Sequence, residues 1–308
     1  MQSNTAYFEI SKRAPETLDA RYMFLDKECE LSKYVECSTR IKDILDVIYS
    51  RNTSDENFST LYDLVCSDYS VASELSCFIN ACDSTLATIR NDFDTFKKIV
   101  TLYLKHRDIP QQISSEMIQA LIDKGASRAK GKIGEKKLIE IAMHYGFVEC
   151  HNWSDFLHTP KAIAACSKGM FNNARILEHL HVDLNFGAQN KLLDVLIKND
   201  RCLAFIEAKH LKEGGGSQDK QIKELIEIIK INNPHPNVYI AAFLDGVYSN
   251  TLLNIPADIN NRMLYNNKVA EQQRDIIQTL RSIPKAYWLN TAGYTSFISD
   301  FSNLSCAV

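Results

Sequence analysis

Two carboxylates and one lysine lie close together in the sequence, within two apolar segments. Asp194 precedes Glu207 by twelve intervening residues, and Lys209 follows two positions later. Carboxylate oxygens suit Mg²⁺, which needs only one or two of them when a substrate phosphate completes its shell. A cation held in this way acidifies a water and stabilises a leaving oxygen, and an adjacent ammonium stabilises developing negative charge. These residue types suit metal-dependent phosphodiester hydrolysis, provided that the fold brings them together.

The segments that carry these residues predict a β-hairpin. Residues 192–198 and 202–209 are both rich in apolar residues, and a turn-prone stretch separates them. A turn at Asp200-Arg201 places Asp194 directly opposite Glu207, whereas a turn one residue earlier makes them diagonal neighbours. Side chains alternate along a strand, so the triad shares one face of the hairpin in either register.

The pattern resembles the PD-(D/E)XK nuclease superfamily, in which an acidic residue at the start of one strand precedes Glu-x-Lys on the next. Asp194 and Glu207-Ala208-Lys209 carry the resemblance, and Leu193 stands where the fullest form has proline. The resemblance covers residues 126–308. It implies that Asp194, Glu207 and Lys209 are catalytic, that the two carboxylates bind the metal, and that Mg²⁺ is the cofactor.

Two flanking segments extend the resemblance. Upstream, a helical pattern that opens at Gly131 carries Glu135, and an acidic residue of the family's first core helix serves as an auxiliary metal or water ligand. Downstream, Gly214–Gly216 precede a predicted helix at 219–231, similar to the glycine loop and glutamine-bearing helix of several type II restriction endonucleases. Glycine lets the backbone approach a phosphate, and a helix N-terminus favours an anion. The residues expected to contact DNA there are Ser217, Gln218, Lys220 and Gln221.

The charge of the chain is unevenly distributed. Lys and Arg total 35 against 38 acidic residues, a net charge of −3, so the chain as a whole is not basic. Six basic residues nevertheless crowd into positions 124–137, where Glu135 is the only acid: Lys124, Arg128, Lys130, Lys132, Lys136 and Lys137. Such a cluster fits phosphate contacts beside the site, and it equally fits a solvated helix face. We expect DNA contacts from Lys130, Lys132 and Lys136.

The periodicity of apolar residues predicts two domains. Residues 1–125 are expected to form an all-helical accessory domain that clasps DNA, recognises sequence or mediates dimerisation. Residues 126–308 are expected to have an α/β (α+β) fold with a mixed central β-sheet flanked by helices. The resemblance implies that this sheet and its helices form a restriction-endonuclease-like core. The helices predicted in the first domain span 31–49, 57–66, 72–81, 93–105 and a last segment ending at Gly125. Beyond the hairpin, the second domain is predicted to have helices at 131–145, 219–231 and 268–283, strands at 147–151 and 237–244, and irregular or helical sequence from 152 to 189.

Other polar groups lead to weaker hypotheses. Nine cysteines without a C-x-x-C pair predict reduced thiols in a cytoplasmic protein, and a metal site built from Cys150, His151 and Cys166 or from the histidines at 179 and 181 fits structural zinc poorly. No phosphate-loop motif supports a nucleotide cofactor. The longest clean apolar run is too short for a membrane span, so no membrane partner is expected. Polar residues at 172–178 and 185–190 either read base edges or form surface loops.

The sequence thus favours a Mg²⁺-dependent, sequence-specific double-stranded DNA endonuclease of the type II restriction kind. We expect it to act as a homodimer, because a two-fold protein suits a palindromic site. A repair or defence nuclease of the same superfamily is an alternative. In a further alternative, a non-catalytic helical DNA-binding or interaction protein, the triad is only a surface ion-pair cluster.

Overall fold

The structure is a computed structural model that describes residues 1–22, 28–51, 54–125, 131–183, 191–200, 202–231 and 233–304. The chain divides into two compact units. Met1–Tyr22 and Lys130–Val308 form one, called here the sheet unit, and Met23–Ala129 form the other, called the helical unit. None of the described helices is both long enough and apolar enough to cross a membrane.

The first helix of the chain, α1 (Asn4–Arg13), belongs to the sheet unit and corrects the predicted boundary, which grouped residues 1–125 together. Its Tyr7 ring packs against Tyr287 and Phe297 in the core beneath the sheet. The buried Asn4 amide donates to the carbonyls of Leu280, Ile283 and Ala286 at 2.7–3.0 Å. These carbonyls come from residues about 280 positions away, so no local sequence signal assigns α1 to its unit.

The helical unit consists, in the part described, of six α-helices and a 3₁₀ turn at Asp68–Ala72. The helices are α2 (Glu28–Arg51), α3 (Asp55–Val65), α4 (Glu74–Ala81), α5 (Leu86–Ile89), α6 (Phe93–His106) and α7 (Ser115–Gly125). Their apolar faces meet in one core that includes Leu61, Ile79, Phe96 and Val100. The predicted N-terminal helical region is therefore confirmed for the described residues, 28–51 and 54–125, apart from α5, which was not predicted.

In the described part of the chain, six strands form one mixed sheet in the order β1-β2-β3-β4-β5-β6. The strands are β1 (Val148–Glu149), β2 (Lys161–Ala165), β3 (Val195–Asn199), β4 (Cys202–His210), β5 (Val238–Asp245) and β6 (Ala286–Leu289). The pairs β2/β3 and β3/β4 are antiparallel, and the pairs β1/β2, β4/β5 and β5/β6 are parallel. The predicted mixed sheet is thus confirmed, and β4 lies at the change from antiparallel to parallel pairing.

Helices cover both faces of this sheet. They are α8 (Gly131–His144), α9 (Trp153–His158), α10 (Asn173–Leu180), α11 (Gly216–Ile229), α12 (Ser249–Leu253), α13 (Lys268–Ser282) and α14 (Thr291–Ser302). One face packs on α1, α8 and α14 through residues such as Ile206 and Phe243. The other packs on α9, α10 and α11 through residues such as Phe205, and on α11, α12 and α13 through Leu244. Flanking helices are therefore confirmed.

The segment 152–189 was predicted to be irregular or helical and in fact contains β2 as well as α9 and α10. Its strand sequence, KAIAA, is rich in alanine, which has a low preference for strands. Pairing with all five residues of β3 specifies this strand, together with the burial of Ile163 and its neighbours. The prediction was wrong here because the deciding contacts are tertiary. The C-terminal elements β6 and α14 were likewise not predicted.

Candidate functional site

The hairpin has the first of the two predicted registers. Asn199 pairs with Cys202 and Val195 with Ile206, so the continuation of the ladder brings Asp194 opposite Glu207. Asp200, in the turn, has a φ of 49°, a left-handed conformation that aspartate tolerates better than most residues. The Asp194 amide donates to the Ile206 carbonyl at 3.0 Å, which fixes the carboxylate at the start of β3.

Glu207 is the most deeply buried member of the triad, with 1% of its side chain exposed. Its Oε1 accepts hydrogen bonds from the ammonium groups of Lys209 and of Lys191, the latter at 2.5 Å. Its Oε2 is also buried and has no hydrogen-bond partner among the described residues. Burial, reinforced by the charge of Asp194, raises the pKa of Glu207 against the opposing effect of the two lysines. A buried oxygen without a donor is a position that a cation would stabilise.

Asp194 is partly buried next to Glu207. Its Oδ2 accepts a hydrogen bond from the Ala208 amide at 2.8 Å. Burial raises the pKa of Asp194, and the nearby charge of Glu135 adds to that increase, whereas the Ala208 amide and Lys209 lower it. The surroundings therefore disfavour the ionised form of this carboxyl more than water does.

Lys209 lies on the same face as Glu207, two residues further along β4. Burial opposes its charge, but the attraction of Glu207 and then of Asp194 is stronger and raises the pKa of Lys209. The side chain is therefore an ammonium at neutral pH. An ammonium donates hydrogen bonds and stabilises negative charge but accepts no proton.

Two charged residues that the sequence did not suggest complete this cluster. Glu224 of α11 contacts the Lys191 ammonium through Oε1, and its Oε2 lies 3.7 Å from Lys209 Nζ. Lys191 precedes Asp194 by three residues, and Glu224 follows the predicted DNA-contact residue Gln221 by three, one helical turn along α11. The three-residue spacing from Gln221 was the sequence signal that could have identified Glu224, because it puts both side chains on one face of α11.

Glu135 and Cys166 lie at the edge of the same cluster. Glu135 is half-buried on α8, and its charge acts on Asp194. The Cys166 amide donates to the Asp194 carbonyl at 2.8 Å. Burial raises the pKa of the Cys166 thiol, with further contributions from Asp194, Glu135 and Glu207. The structure therefore brings the predicted auxiliary acid near the triad.

The donor set suits a metal with few protein ligands. Among the described residues, no group of three or more Asp, Glu, His or Cys side chains is arranged as a ready-made metal cage. Mg²⁺ typically keeps several waters and uses one or two carboxylates together with substrate phosphate. Asp194 and the unpartnered Oε2 of Glu207 fit that pattern. The cysteine and histidine zinc hypothesis gains no support from this geometry.

The predicted DNA-contact residues of α11 lie in its first two turns. The helix begins at Gly216, three residues before its predicted start, and Gly215 precedes it with a φ of 152°. Ser217 and Lys220 are exposed, and Gln218 and Gln221 are half-exposed. Gly214 serves packing, because a Cβ there would lie 2.7 Å from the Tyr248 hydroxyl. The side chain of Glu224 lies further along this helix and reaches the triad.

The basic cluster at positions 124–137 is only partly available for DNA. Lys130 lies outside the described residues, and Lys132 lies in α8. Lys136 is 78% exposed and lies 3.9 Å from Glu140. Lys137, in contrast, is 1% exposed and its ammonium lies 2.8 Å from Asp245. Counting Lys137 in a phosphate-binding cluster was wrong, because the sequence does not show which side of α8 faces the sheet.

The opposite face of β4 from Lys209, called here its back, carries a second network of charged residues. The Asp245 carboxylate accepts a hydrogen bond from His210 Nδ1, and the His210 ring stacks on the Tyr22 ring at 3.7 Å. Asp245 also pairs with Lys137, whose ammonium lies 2.9 Å from Asp19. His210 therefore points to the opposite face from Lys209, as its position in the strand predicts. Its contacts are those of a structural residue.

The polar segments considered for base reading have different outcomes. Asn172 caps α10 by accepting from the Arg175 amide at 3.0 Å, and its own amide donates to the Lys168 carbonyl at 2.9 Å. These bonds use the side chain within the fold. Residues 185–190 lie outside the described residues.

Comparison of the chain with protein-family models, with curated proteins and with solved structures gave no match.

Proposed function

We propose that the sheet unit is a Mg²⁺-dependent double-stranded DNA endonuclease of the type II restriction kind, with Asp194, Glu207 and Lys209 as its catalytic residues. The observation that carries the proposal is the pair of carboxylates that face each other across the hairpin, Asp194 and Glu207. Glu207 is 1% exposed, and its Oε2 has no hydrogen-bond partner among the described residues. A divalent cation bound by both carboxylates would stabilise their negative charges.

Burial distinguishes this cluster from a surface ion-pair group. Exposed pairs contribute little to stability and leave their carboxylates close to ordinary pKa values. Here Glu207 is buried, one of its oxygens has no donor among the described residues, and the pKa of both Asp194 and Glu207 is raised. A protein without a use for these charges would gain by replacing them with apolar residues. Function is the physical reason to retain them.

Each residue then has a role that its contacts support. Asp194 and Glu207 would hold the cation, with the Ala208 amide fixing the orientation of the Asp194 carboxylate. The cation, when bound, would acidify water and neutralise phosphate charge. Lys209 stays protonated, so it would orient the attacking water and stabilise the charge that develops on the phosphate. Glu135 would order water at the edge of the site.

The substrate assignment rests on what surrounds the cluster. The N-terminus of α11 favours an anion, and Ser217, Lys220 and Gln221 lie in its first two turns with polar, accessible side chains. Lys136 adds an exposed positive charge on α8. A homodimer would match a palindromic DNA sequence. A repair or defence nuclease would use the same residues on the same polymer, and the cleavage pattern separates the two.

The test is cleavage of unmethylated phage DNA by the purified protein, with Mg²⁺ or with EDTA, resolved on a gel. Discrete Mg²⁺-dependent bands support a restriction-type enzyme, and a smear supports a less specific nuclease. Asp194→Asn and Glu207→Gln should abolish cleavage while retaining DNA binding, and Asp275→Asn, a charge removal at an exposed site on α13, should cleave normally. Intact DNA across substrates of varied sequence and modification would refute the proposal.

A further inference from the structure

The Lys191 ammonium lies at the centre of the site, between two carboxylates on different elements. Its Nζ is 2.5 Å from Glu207 Oε1 and in direct contact with Glu224 Oε1. Glu207 lies on β4 and Glu224 on α11, so this one side chain bridges the catalytic strand and the helix that follows it. Lys209 contacts the same Oε1 of Glu207. Two ammonium groups thus share one oxygen of a carboxylate proposed to bind metal.

The backbone of Lys191 is held independently of its ammonium. Its carbonyl accepts a hydrogen bond from the Asn173 side chain of α10 at 3.0 Å. Two residues later the chain is buried at Leu193, and at Asp194 it joins the ladder with β4. The lysine stem is long and flexible, and 20% of this side chain is exposed. The ammonium can therefore move away from Glu207 without disturbing the hairpin.

A divalent cation and the Lys191 ammonium would compete for Glu207. Like charges a few ångströms apart repel strongly in a partly buried site, because screening there is weaker than in water. Lys209 contributes similar repulsion, but it lies on β4 itself, only two residues from Glu207, and its proposed role requires it to remain. Lys191 is the cation that can leave, since Glu224 and the exposed rim of the site lie beside it.

We infer that Lys191 is an internal counter-ion of Glu207 that a divalent cation displaces, and that the displaced ammonium then contacts the substrate phosphate. This inference rests on the proposed metal-dependent nuclease. It assigns Lys191 a positioning role in which metal binding and DNA binding are coupled: the metal releases the lysine, and the phosphate backbone receives it. Glu224 would retain the ammonium near the site between these two positions.

The first test is calorimetric titration with Ca²⁺, a hard cation that takes oxygen ligands as Mg²⁺ does, on wild type, Lys191→Met, Lys191→Arg and Lys230→Met. Lys230, directly after the end of α11, is a matched control, since it is exposed and pairs with the exposed Glu227 at 3.0 Å. Lys191→Met should bind Ca²⁺ about tenfold more tightly, because the competing charge is gone. Lys191→Arg and Lys230→Met should stay within about threefold of wild type.

A second measurement follows the unmodified protein and needs one folded variant only to assign the signal. Side-chain ¹⁵N spectra of lysine ammonium groups should show one ion-paired signal that shifts on Ca²⁺ addition and shifts again when a DNA duplex is added. The signal is assigned by its absence in Lys191→Met or, failing that, in Lys191→Arg. An ammonium signal that stays unchanged through Ca²⁺ saturation would overturn the inference.

The outcomes separate this inference from the proposed function. Ca²⁺ binding that is lost in Glu207→Gln but unchanged in Lys191→Met would support the metal site and overturn the role of Lys191. No Ca²⁺ binding by wild type and no binding by Lys191→Met would overturn both. Tighter Ca²⁺ binding by Lys191→Met, combined with about tenfold weaker binding of DNA to its Ca²⁺-loaded form, is the result expected of the displaced ammonium.

Discussion

Replacing Asp194 with asparagine should make the sheet unit more stable while removing its activity. The pKa of Asp194 is raised mainly by burial, with Glu135 adding to the increase, which means that the fold disfavours the ionised carboxyl. Asparagine has the same shape and carries no charge. Its side-chain carbonyl can accept the Ala208 amide in place of Oδ2, which now does so at 2.8 Å.

The change in the free energy of unfolding caused by Asp194→Asn is the balance between interactions lost and repulsion relieved. A hydrogen bond to a neutral acceptor is weaker than one to a carboxylate by about 1 kcal/mol, and the attraction to Lys209 is lost. Against this, the desolvation of the charge and the repulsion by Glu135 and Glu207 disappear. The raised pKa values of Asp194 and Glu207 show that desolvation and repulsion together outweigh the lost hydrogen-bond strength and the lost attraction to Lys209. We expect a net gain of about 1 kcal/mol, equivalent to about 2–4 °C in the unfolding midpoint for a unit of this size.

Tryptophan fluorescence makes the assay specific to one unit. The chain has two tryptophans, Trp153 and Trp288, and both are buried in the sheet unit. Thermal unfolding followed by tryptophan fluorescence in EDTA therefore reports the unfolding of the sheet unit, which carries the site. Asp275→Asn is the matched control, because its exposed position on α13 should keep the change within about 0.5 kcal/mol.

Mg²⁺ supplies the second half of the experiment. At 100 times its dissociation constant, a ligand that binds only the folded state adds about 2.7 kcal/mol, so wild type should gain in Mg²⁺ and Asp194→Asn should not. Asp194→Asn would then be the more stable protein in EDTA, and wild type would be the more stable protein in Mg²⁺. A loss of more than about 1 kcal/mol for Asp194→Asn in EDTA would refute the reasoning, because it would mean that the carboxylate is a structural ion-pair partner.

The other predictions concern pH and three further side chains. Because the pKa of Asp194 is raised in the folded state, its ionisation lowers the free energy of unfolding as the pH rises from the ordinary aspartate range through the raised pKa. The gain in free energy of unfolding from Asp194→Asn in EDTA should therefore grow over that pH window and vanish below it. Urea unfolding at several pH values would measure it. Lys209→Met should lose about 10²- to 10³-fold in cleavage rate with Ca²⁺ binding retained in calorimetry. Glu135→Gln should lose only about tenfold, which single-turnover kinetics would show. Lys137→Met should lose about 3–5 kcal/mol in urea unfolding, because it leaves Asp245 and its acidic neighbours uncompensated; a loss under about 1 kcal/mol would contradict the buried network.

The sequence predicts the structural features that depend on residues close together in the chain, such as turn position and side-chain alternation. The hairpin could be predicted because its two strands are adjacent in the chain, and the turn between them then decides between the two predicted registers. Asn199 pairs with Cys202 as the turn at Asp200-Arg201 requires. Period-two alternation then puts Glu207 and Lys209 on one face and His210 on the other, which the contacts of these residues bear out.

What the sequence did not predict depends on how distant elements pack. Lys191 and Glu224 are 33 residues apart, and their contact exists only because α11 packs beside the hairpin. β2 is a strand because β3 lies beside it, and α1 joins the sheet unit because its apolar face and Asn4 fit against residues near position 283. The sequence grouped Lys137 with a basic cluster because charge counts do not distinguish the two sides of α8.

The contrast between the two faces of β4 explains how a site with excess charge can be held in a stable fold. On the back, the carboxylate of Asp245 has two cationic or hydrogen-bonding partners, Lys137 and His210, and this network fixes the end of the strand. On the front, Glu207 keeps an oxygen without a partner among the described residues, and the charge of Asp194 acts on it. The network on the back helps to hold the end of β4 in place in spite of the repulsion between these carboxylates. Loosening the back through Lys137→Met should therefore weaken Ca²⁺ binding at the front, although Lys137 contacts none of the proposed metal ligands.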